Sequence, residues 1–410
     1  MAKVLRSLLR NPQLFIFQLL VFSLPTQLAF HFWPKSSFIF GIRVDYLSPA
    51  IYFTDLLILL FIVFSLFKNK TRIISKAHIF IVVYILINII ASKFAPITFY
   101  KWLKVILYIL FVQTIQFQQK FTFKNWLYKP LSISLIFFGV IGIAQTLIGR
   151  STGLFWLLGE RSFNISTPGI ALGSLLGNTF LRPYSVFSHP NSLAGYYLVT
   201  LIILLGVPRK TLLNKISLVI GSIVVLLAFS KAVWITAIFV LGIMLLVRQK
   251  VLKQLSLSLF PFVFSIISIP LTIIGDTYQI PKLLFRDSIV ERMILFKSTG
   301  SLLASNFLFG TGLGNHIVSL SKLTPIVKNI WLLQPVHNIF LLIFTEVGII
   351  GLIVFLVIMA KTLERCKNNQ NFQFALIAIL TTGFFDHYWL TLQQNILLLV
   401  ILLSLSFKKT

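Results

Sequence analysis

The chain has 410 residues, a formal net charge of +27 and a hydrophobic fraction of 57%, and only 11% of its residues are charged. A water-soluble surface needs about a quarter charged residues, so this composition excludes a soluble protein and indicates an integral membrane protein. The basic excess therefore bears on orientation in the membrane and does not predict nucleic-acid binding.

Apolar runs long enough to cross a bilayer as a helix recur along the chain. Backbone groups in lipid need internal hydrogen bonds, and no strand alternation is visible, so the runs predict helices rather than a barrel. They lie at 12–32, 50–67, 77–94, 100–118, 130–149, 190–207, 212–229, 232–247, 255–274, 336–360, 372–385 and 391–406. We therefore expect an all-α integral membrane protein, a single polytopic domain over residues 1–410 with about 12 transmembrane helices.

Charge placement predicts the orientation of these spans. The first run has no small-residue cleavage site and predicts a span rather than a signal peptide. Basic residues gather in alternate short connections, as in Lys3, Arg6 and Arg10, so both termini are expected in the cytoplasm and the chain in the cytoplasmic (inner) membrane. Among the acidic residues only Glu364 falls on the cytoplasmic side. This asymmetry indicates extracytoplasmic chemistry, or only a distribution that follows from the orientation.

The first of two long extracytoplasmic loops covers residues 150–189 and leads into the stretch SVFSHPNSLAGYY. Pro190 suits the first turn of a helix, and His189 and Asn191 are then either caps of that helix or site residues. Arg182 is placed to bind a phosphate in a bidentate manner, or to reach lipid headgroups.

The second long loop covers residues 275–335 and predicts an amphipathic helix at the outer membrane surface. At helical spacing its apolar stripe includes Ile289, Met293, Phe296, Gly300 and Leu303. Arg292 lies at the border of that stripe, where it could meet a lipid-borne phosphate or pair with a neighbouring acid. The glycine-rich stretch FGTGLGN follows no strand and does not predict a nucleotide-binding loop.

Three residues near the tenth run carry further chemistry. His337 and Asn338 stand at its outer start, and Glu346 follows at a depth where an ionisable group is expected to face the bundle interior. His337 has an ordinary pKa near neutral and is the best candidate for a general base, although a histidine at a helix start also has structural uses. We find no HExxH motif, paired carboxylates or histidine cluster, and the single Cys366 excludes a cysteine-based cluster, so no metal or other cofactor is expected.

Residues 180–350 resemble the O-antigen ligase and O-antigen polymerase superfamily of bacterial membrane glycosyltransferases. The resemblance rests on an Arg before F-x-H-P-N, Ser-Lys at Ser230–Lys231, NFLFGTGLGN, and H-N-x-F-L followed by E-x-G-I-I-G. It implies a polyprenyl-diphosphate-linked glycan as donor, used outside the membrane without metal or nucleotide. Arg182 and Arg292 would hold the diphosphate, and His337 would activate the acceptor hydroxyl.

Supporting roles then fall to Glu346, Asn338, His189 and Asn191. Two positions depart from the pattern: Ser185 stands where the family often has Gly, and Lys231 where Arg is commoner, so Lys231 is not assigned to the diphosphate.

The expected partners are the lipid-linked donor, a glycan, lipid or protein acceptor and the bilayer, with no nucleic acid. Ligases and polymerases of repeat units share these motifs. A transporter or flippase of lipid-linked glycans is the main alternative, although transporters usually place ionisable residues in broken helices near the midplane. A structural or sensory membrane protein is a further one.

Overall fold

Helices dominate the part of the chain that the computed structural model describes, which is residues 11–68, 76–118, 121–175, 177–247, 282–323 and 330–407. The α-helices are α1 Pro12–Phe22, α2 Phe53–Lys68, α3 Lys76–Ile90, α4 Ala95–Gln116, α5 Lys129–Ile148, α6 Pro190–Leu205, α7 Leu212–Leu227, α8 Lys231–Val247, α9 Lys282–Ser305, α10 His316–Leu320, α11 Ile339–Arg365, α12 Gln370–Gly383, α13 Tyr388–Thr391 and α14 Gln393–Ser406. The mostly helical fold is as predicted.

Three short antiparallel strand pairs accompany the helices. They are β1 Ala29–His31 with β4 Ala50–Tyr52, β2 Phe38–Ile39 with β3 Ile42–Arg43, and β5 Leu172–Leu175 with β6 Asn178–Leu181. The last pair lies within the first long loop.

Three helical segments among the described residues are long and apolar enough to cross a membrane: Ala95–Gln116, Lys124–Ile148 and Ile339–Arg365. Shorter apolar helices of 10–17 residues occur at Pro12–Phe22, Phe53–Leu66, Ile79–Ile90, Pro190–Leu205, Leu212–Leu227, Lys231–Leu246 and Gln393–Ser406. The predicted run at 255–274 lies outside the described residues. Twelve complete spans therefore stay a prediction.

The predicted first span, 12–32, is wrong beyond Phe22, where α1 ends. Pro25 has no backbone N–H with which to continue a helix. The chain then enters β1, in which Ala29 pairs with Tyr52 and His31 with Ala50 of β4. That partner strand is remote in sequence, so a hydropathy pattern gives no sign of it.

Helix α6 lies at the centre of the helical core and is buried along almost its whole length. It packs against α7, α12 and α14, which explains why it is apolar on all sides. Neighbouring α5 and α7 approach closely at Gly139, where a Cβ atom would lie 2.6 Å from Cγ2 of Ile220. Small residues permit such close packing between membrane helices.

Helix α11 is interrupted at Gly348, whose φ of +70° lies in the left-handed region that favours glycine. The interruption frees backbone carbonyls, and the glycine-rich turn supplies their donors. The N–H of Thr311 donates to the carbonyl of Thr345 at 2.7 Å, and that of Gly312 donates to the carbonyl of Glu346 at 2.9 Å. The glycine-rich turn therefore holds a broken helix together.

The predicted helix of the second long loop is confirmed as α9. Its inward face buries Leu295 and Leu302, whereas Met293 and Phe296 are more than half exposed. This outward apolar stripe fits the predicted contact with the membrane surface. The side chains of Asp287 and Ile289 lie outside the described part of the chain.

Candidate active site

A cavity of about 820 Å³ lies between the two long loops and the helices α4, α11 and α14. Six of the seven predicted site residues line it: Arg182, His189, Asn191, Arg292, His337 and Glu346. The seventh, Asn338, is not in its wall. Residues far apart in sequence therefore meet in one cavity.

The start of α6 shapes one wall of the cavity. His189 is the N-cap of this helix, with its Nδ1 accepting a hydrogen bond from the Asn191 N–H at 3.1 Å, and Pro190 occupies the first turn. The predicted cap is thus confirmed, although both residues also face the cavity. Burial, together with the nearby charge of Arg182, lowers the pKa of His189 below its ordinary value. His189 is therefore neutral around pH 7.

Arg182 is fixed by two hydrogen bonds that leave part of its guanidinium available. Its Nε donates to the Ala228 carbonyl at 2.5 Å, and its Nη2 donates to Asn191 Oδ1 at 2.6 Å. Among the described residues its Nη1 has no hydrogen-bond partner. Burial lowers the pKa of Arg182 to about 10, so the group stays charged at neutral pH.

Arg292 reaches the cavity from α9 and contacts the segment that follows α12. Its Nη1 donates to the Phe385 carbonyl at 3.1 Å. Among the described side chains, which do not include that of Asp287, it forms no ion pair with a carboxylate. Two guanidinium groups from different loops thus line one cavity.

His337 lies just before α11, with its ring in contact with a second histidine. Its ring centroid is 5.1 Å from that of His387, and its buried Nδ1 has no hydrogen-bond partner among the described residues. Burial lowers the pKa of His337, Asp386 raises it and Arg292 lowers it, with a net decrease. His337 is therefore neutral near pH 7 and able to accept a proton.

Asp386 was not among the residues singled out from the sequence. Its Oδ1 accepts the His387 N–H at 2.8 Å, and Asn191 Nδ2 donates to its Oδ2 at 3.4 Å. Burial alone would raise the pKa of Asp386, but the surrounding histidines and Arg292 lower it overall. Asp386 is thus an ionised carboxylate, and Asn191 links it to Arg182.

His387 and Arg161 were also missed. The His387 ring is buried, its Nδ1 is 2.8 Å from Thr391 Oγ1, and burial lowers its pKa to about 4. Arg161 lines the cavity, donates to the Ser188 carbonyl and lies over the Tyr184 ring at 5.5 Å. Arg161 is thus a third arginine whose side chain lines the cavity, with Arg182 and Arg292.

The remaining predicted residues have clear positions. Asn338 caps α11, because its Oδ1 accepts the N–H groups of Phe340 at 2.9 Å and Leu341 at 3.0 Å. Glu346 lies on the face of α11 that also brings Leu342 to the cavity wall. Asn338 therefore orients the helix start beside His337 from outside the cavity.

His337, Asp386 and His387 each place one potential ligand atom within 4.8 Å of the other two. This combination of side chains could hold a transition metal ion. No sequence motif indicates it, because His337 is remote in sequence from the other two. Arg182 and Arg292 line the same cavity, and their positive charges oppose a cation there.

Ser185 adopts a backbone conformation that glycine would adopt with less strain. Its φ is +52°, in the left-handed region, where glycine is the least strained residue. Its N–H donates to Gln145 Oε1 at 2.7 Å, and its Oγ donates to the Phe138 carbonyl at 2.8 Å. These bonds hold the serine in place between Arg182 and the start of α6.

Part of the chain matches a known protein family. Residues 216–356 match the family model described as O-antigen ligase. The matched region contains Arg292, His337 and Glu346, whereas Arg182 and Asp386 lie outside it. None of the curated proteins matches the chain.

Proposed function

We propose that this chain, whose membership in the O-antigen ligase family is supported by the match over residues 216–356, transfers a polyprenyl-diphosphate-linked glycan to an acceptor hydroxyl. The reaction takes place on the outer side of the cytoplasmic membrane during assembly of a cell-surface polysaccharide. The observation that carries the proposal is the convergence of Arg182, Arg292, His337 and Asp386 on one cavity.

The two arginines bind the donor diphosphate. A guanidinium offers paired N–H donors that match phosphate oxygens, and it stays charged when partly desolvated. Arg182 is held by Ala228 and Asn191, so it is preorganised before the donor arrives. Charge that develops on the leaving diphosphate is stabilised by these fixed groups.

His337 acts as the general base. The acceptor hydroxyl gives its proton to the His337 ring while its oxygen attacks the anomeric carbon of the donor sugar. The bond between that carbon and the diphosphate oxygen breaks, the diphosphate carrier leaves with the electron pair, and the anomeric configuration is inverted. Asp386 stabilises the imidazolium that forms, and His337 later releases the proton to water.

The arrangement needs neither a metal ion nor a nucleotide for this step. Divalent ions neutralise diphosphates in many glycosyl transfers, and here Arg182 and Arg292 supply the positive charge instead. We therefore propose a metal-independent membrane glycosyltransferase of the ligase type. A polymerase that joins repeat units would use the same groups and differ only in its acceptor.

Two observations favour the alternative of a flippase. Helix α11 is broken at Gly348, and the ion pair between Lys104 and Asp55 is largely buried, and both features occur in transporters. The freed carbonyls of α11 are, however, bonded to the glycine-rich turn. The break thus builds the cavity wall and does not leave an open ion site.

Purified protein given a radiolabelled polyprenyl-diphosphate glycan tests the proposal. We expect release of the diphosphate carrier only when an acceptor is present, with one glycosidic bond formed for each carrier released. Donor reconstituted in vesicles distinguishes the flippase: intact donor that crosses the bilayer with no new glycosidic bond would contradict the transfer reaction. Offering lipid, repeat-unit and protein acceptors to the same donor separates ligase from polymerase.

A further inference from the structure

The cavity continues along α11 well past His337. Leu342, Ile343 and Glu346 share one face of this helix and line the cavity, and Glu346 is about 10 Å along the helix axis from its start at Ile339. The opposite wall is α4, where Lys101, Lys104, Val105 and Tyr108 lie at helical spacing. This distal end of the cavity lies beyond the groups assigned to the donor.

Most polar groups of the distal wall are already paired. The Lys104 ammonium binds Asp55, whose other oxygen accepts a hydrogen bond from Gln393 Nε2 at 2.9 Å. The Tyr108 hydroxyl donates to Gln393 Oε1 at 2.9 Å, and the Tyr100 hydroxyl donates to the carbonyl of Ala50 at 2.7 Å. These side chains form a closed network and have little capacity for a ligand.

Lys101 and Glu346 are the exceptions. Among the described residues the Lys101 ammonium has neither an ion pair nor a hydrogen bond, and its nearest aromatic neighbour is Tyr100, at 5.9 Å from the ring centroid. Glu346 accepts hydrogen bonds from the backbone N–H groups of Gly314 and His316, which use two of the roughly four acceptor sites of its carboxylate. The Lys101 ammonium and the remaining acceptor sites of Glu346 thus line the same cavity with hydrogen-bonding capacity that the protein itself does not use.

We propose that Lys101 and Glu346 form a subsite for a sugar residue of the acceptor, an inference that rests on the proposed function. A carboxylate accepts hydrogen bonds from hydroxyl groups and an ammonium donates to their oxygens, so adjacent hydroxyls of one sugar satisfy both charges. Tyr100, beside Lys101, also lines the cavity, and its ring can contact the C–H face of a sugar. The polyprenyl chain of the donor has no affinity for such a polar end.

This placement assigns the donor and the acceptor to opposite ends of the cavity. The donor diphosphate lies with Arg182 and Arg292, the acceptor sugar lies with Lys101 and Glu346, and His337 stands between them at the start of α11. Binding energy from the distal sugar then orients the attacking hydroxyl, as positioning groups do in bimolecular transfers. Lys101 and Glu346 are specificity residues and do not touch the reacting atoms.

Steady-state kinetics of K101M and E346Q test the proposal. We expect each variant to raise the acceptor KM about tenfold or more, with the donor KM changed less than twofold, because each loses a charge-assisted hydrogen bond to the acceptor. K93M is the matched control, since Lys93 is exposed just before α4 and outside the cavity wall. Unchanged acceptor KM values in both variants would overturn the subsite.

Two further measurements keep the test independent of folding and of the reaction. The double variant K101M/E346Q is compared with the two single variants. If it raises the acceptor KM by less than the product of the two single increases, both residues bind one shared sugar. If the increases multiply fully, the two residues act separately. Binding of free oligosaccharide, released by mild acid from the host's envelope glycolipid, is measured by calorimetry without donor. Weaker binding by K101M and normal binding by K93M supports the subsite even if wild type transfers nothing, which would overturn only the proposed function.

Discussion

Replacing Asp386 by asparagine removes one negative charge beside His337 and keeps the shape of the side chain. The two residues place their polar atoms within 4.8 Å of each other. At that separation two unit charges interact by about 3.5 kcal/mol with an effective dielectric constant of about 20. Water in the cavity screens part of this energy, so it is an upper value, and we expect the pKa of His337 to fall when the Asp386 charge is removed.

The consequence is a shifted pH profile. Transfer requires neutral His337, so the rate falls as the pH falls through the pKa of this residue, which already lies below its ordinary value. In D386N this acid limb moves to lower pH, and the rate on the plateau drops about 100-fold because the base is weaker and its imidazolium is less stabilised. Both effects are measured from the initial rate at which glycosylated acceptor forms, at on the order of ten pH values between pH 4 and 9.

D45N is the matched control for this experiment. Asp45 also lines the cavity, but it is largely exposed and paired with Arg43 at 3.2 Å. We expect its profile to follow that of wild type. An acid limb that stays in place in D386N, with the protein folded and inserted, would refute the assignment of Asp386 as the partner of His337.

Three further predictions follow from single features. R182K raises the donor KM about tenfold, because lysine cannot keep the paired contacts of Arg182 and also offer two parallel N–H donors to a diphosphate. R209K, at an exposed position, leaves the donor KM unchanged. An equal increase in both variants would contradict donor binding by Arg182. G348A lowers stability by about 2 kcal/mol or more, because a Cβ there would lie 2.1 Å from the Leu308 carbonyl oxygen at a positive φ; thermal unfolding in detergent compares it with G242A, which has open space at its Cβ. Transfer persists after exhaustive treatment with EDTA, and a loss that Zn²⁺ restores would show a metal-dependent reaction.

The sequence predicts six residues that the structure brings together in the cavity, because several of them have local signals. Arg182 precedes a helix start that Pro190 marks, and His337 precedes the long apolar run of α11. Such positions at span ends are visible in hydropathy and residue type. How these ends converge depends on packing among helices, and no local pattern contains that information.

The role of Asp386 could not be predicted from its position in the sequence alone. It is one of the acids predicted on the extracytoplasmic side, and it stands next to His387 at the end of an apolar run. That adjacency was the available signal. Its importance comes from the contacts with Asn191 and the neighbourhood of His337, which only the folded chain brings together.

The error in the first span has a comparable origin. Residues 29–31 are apolar enough to continue a helix, but they pair with β4 across a long separation in sequence. Their side chains alternate between an exposed Phe30 and a His31 that lines the cavity. A hydropathy average does not resolve such alternation, so the segment is predicted simply as apolar.

The most direct test of the account compares wild type with H337A in one assay of a radiolabelled donor and a hydroxyl acceptor. We predict that wild type forms glycosylated acceptor and free diphosphate carrier in equal amounts. H337A inserts into membranes normally and forms neither product above the uncatalysed level. Transfer by H337A at the wild-type rate would contradict the central claim that His337 activates the acceptor.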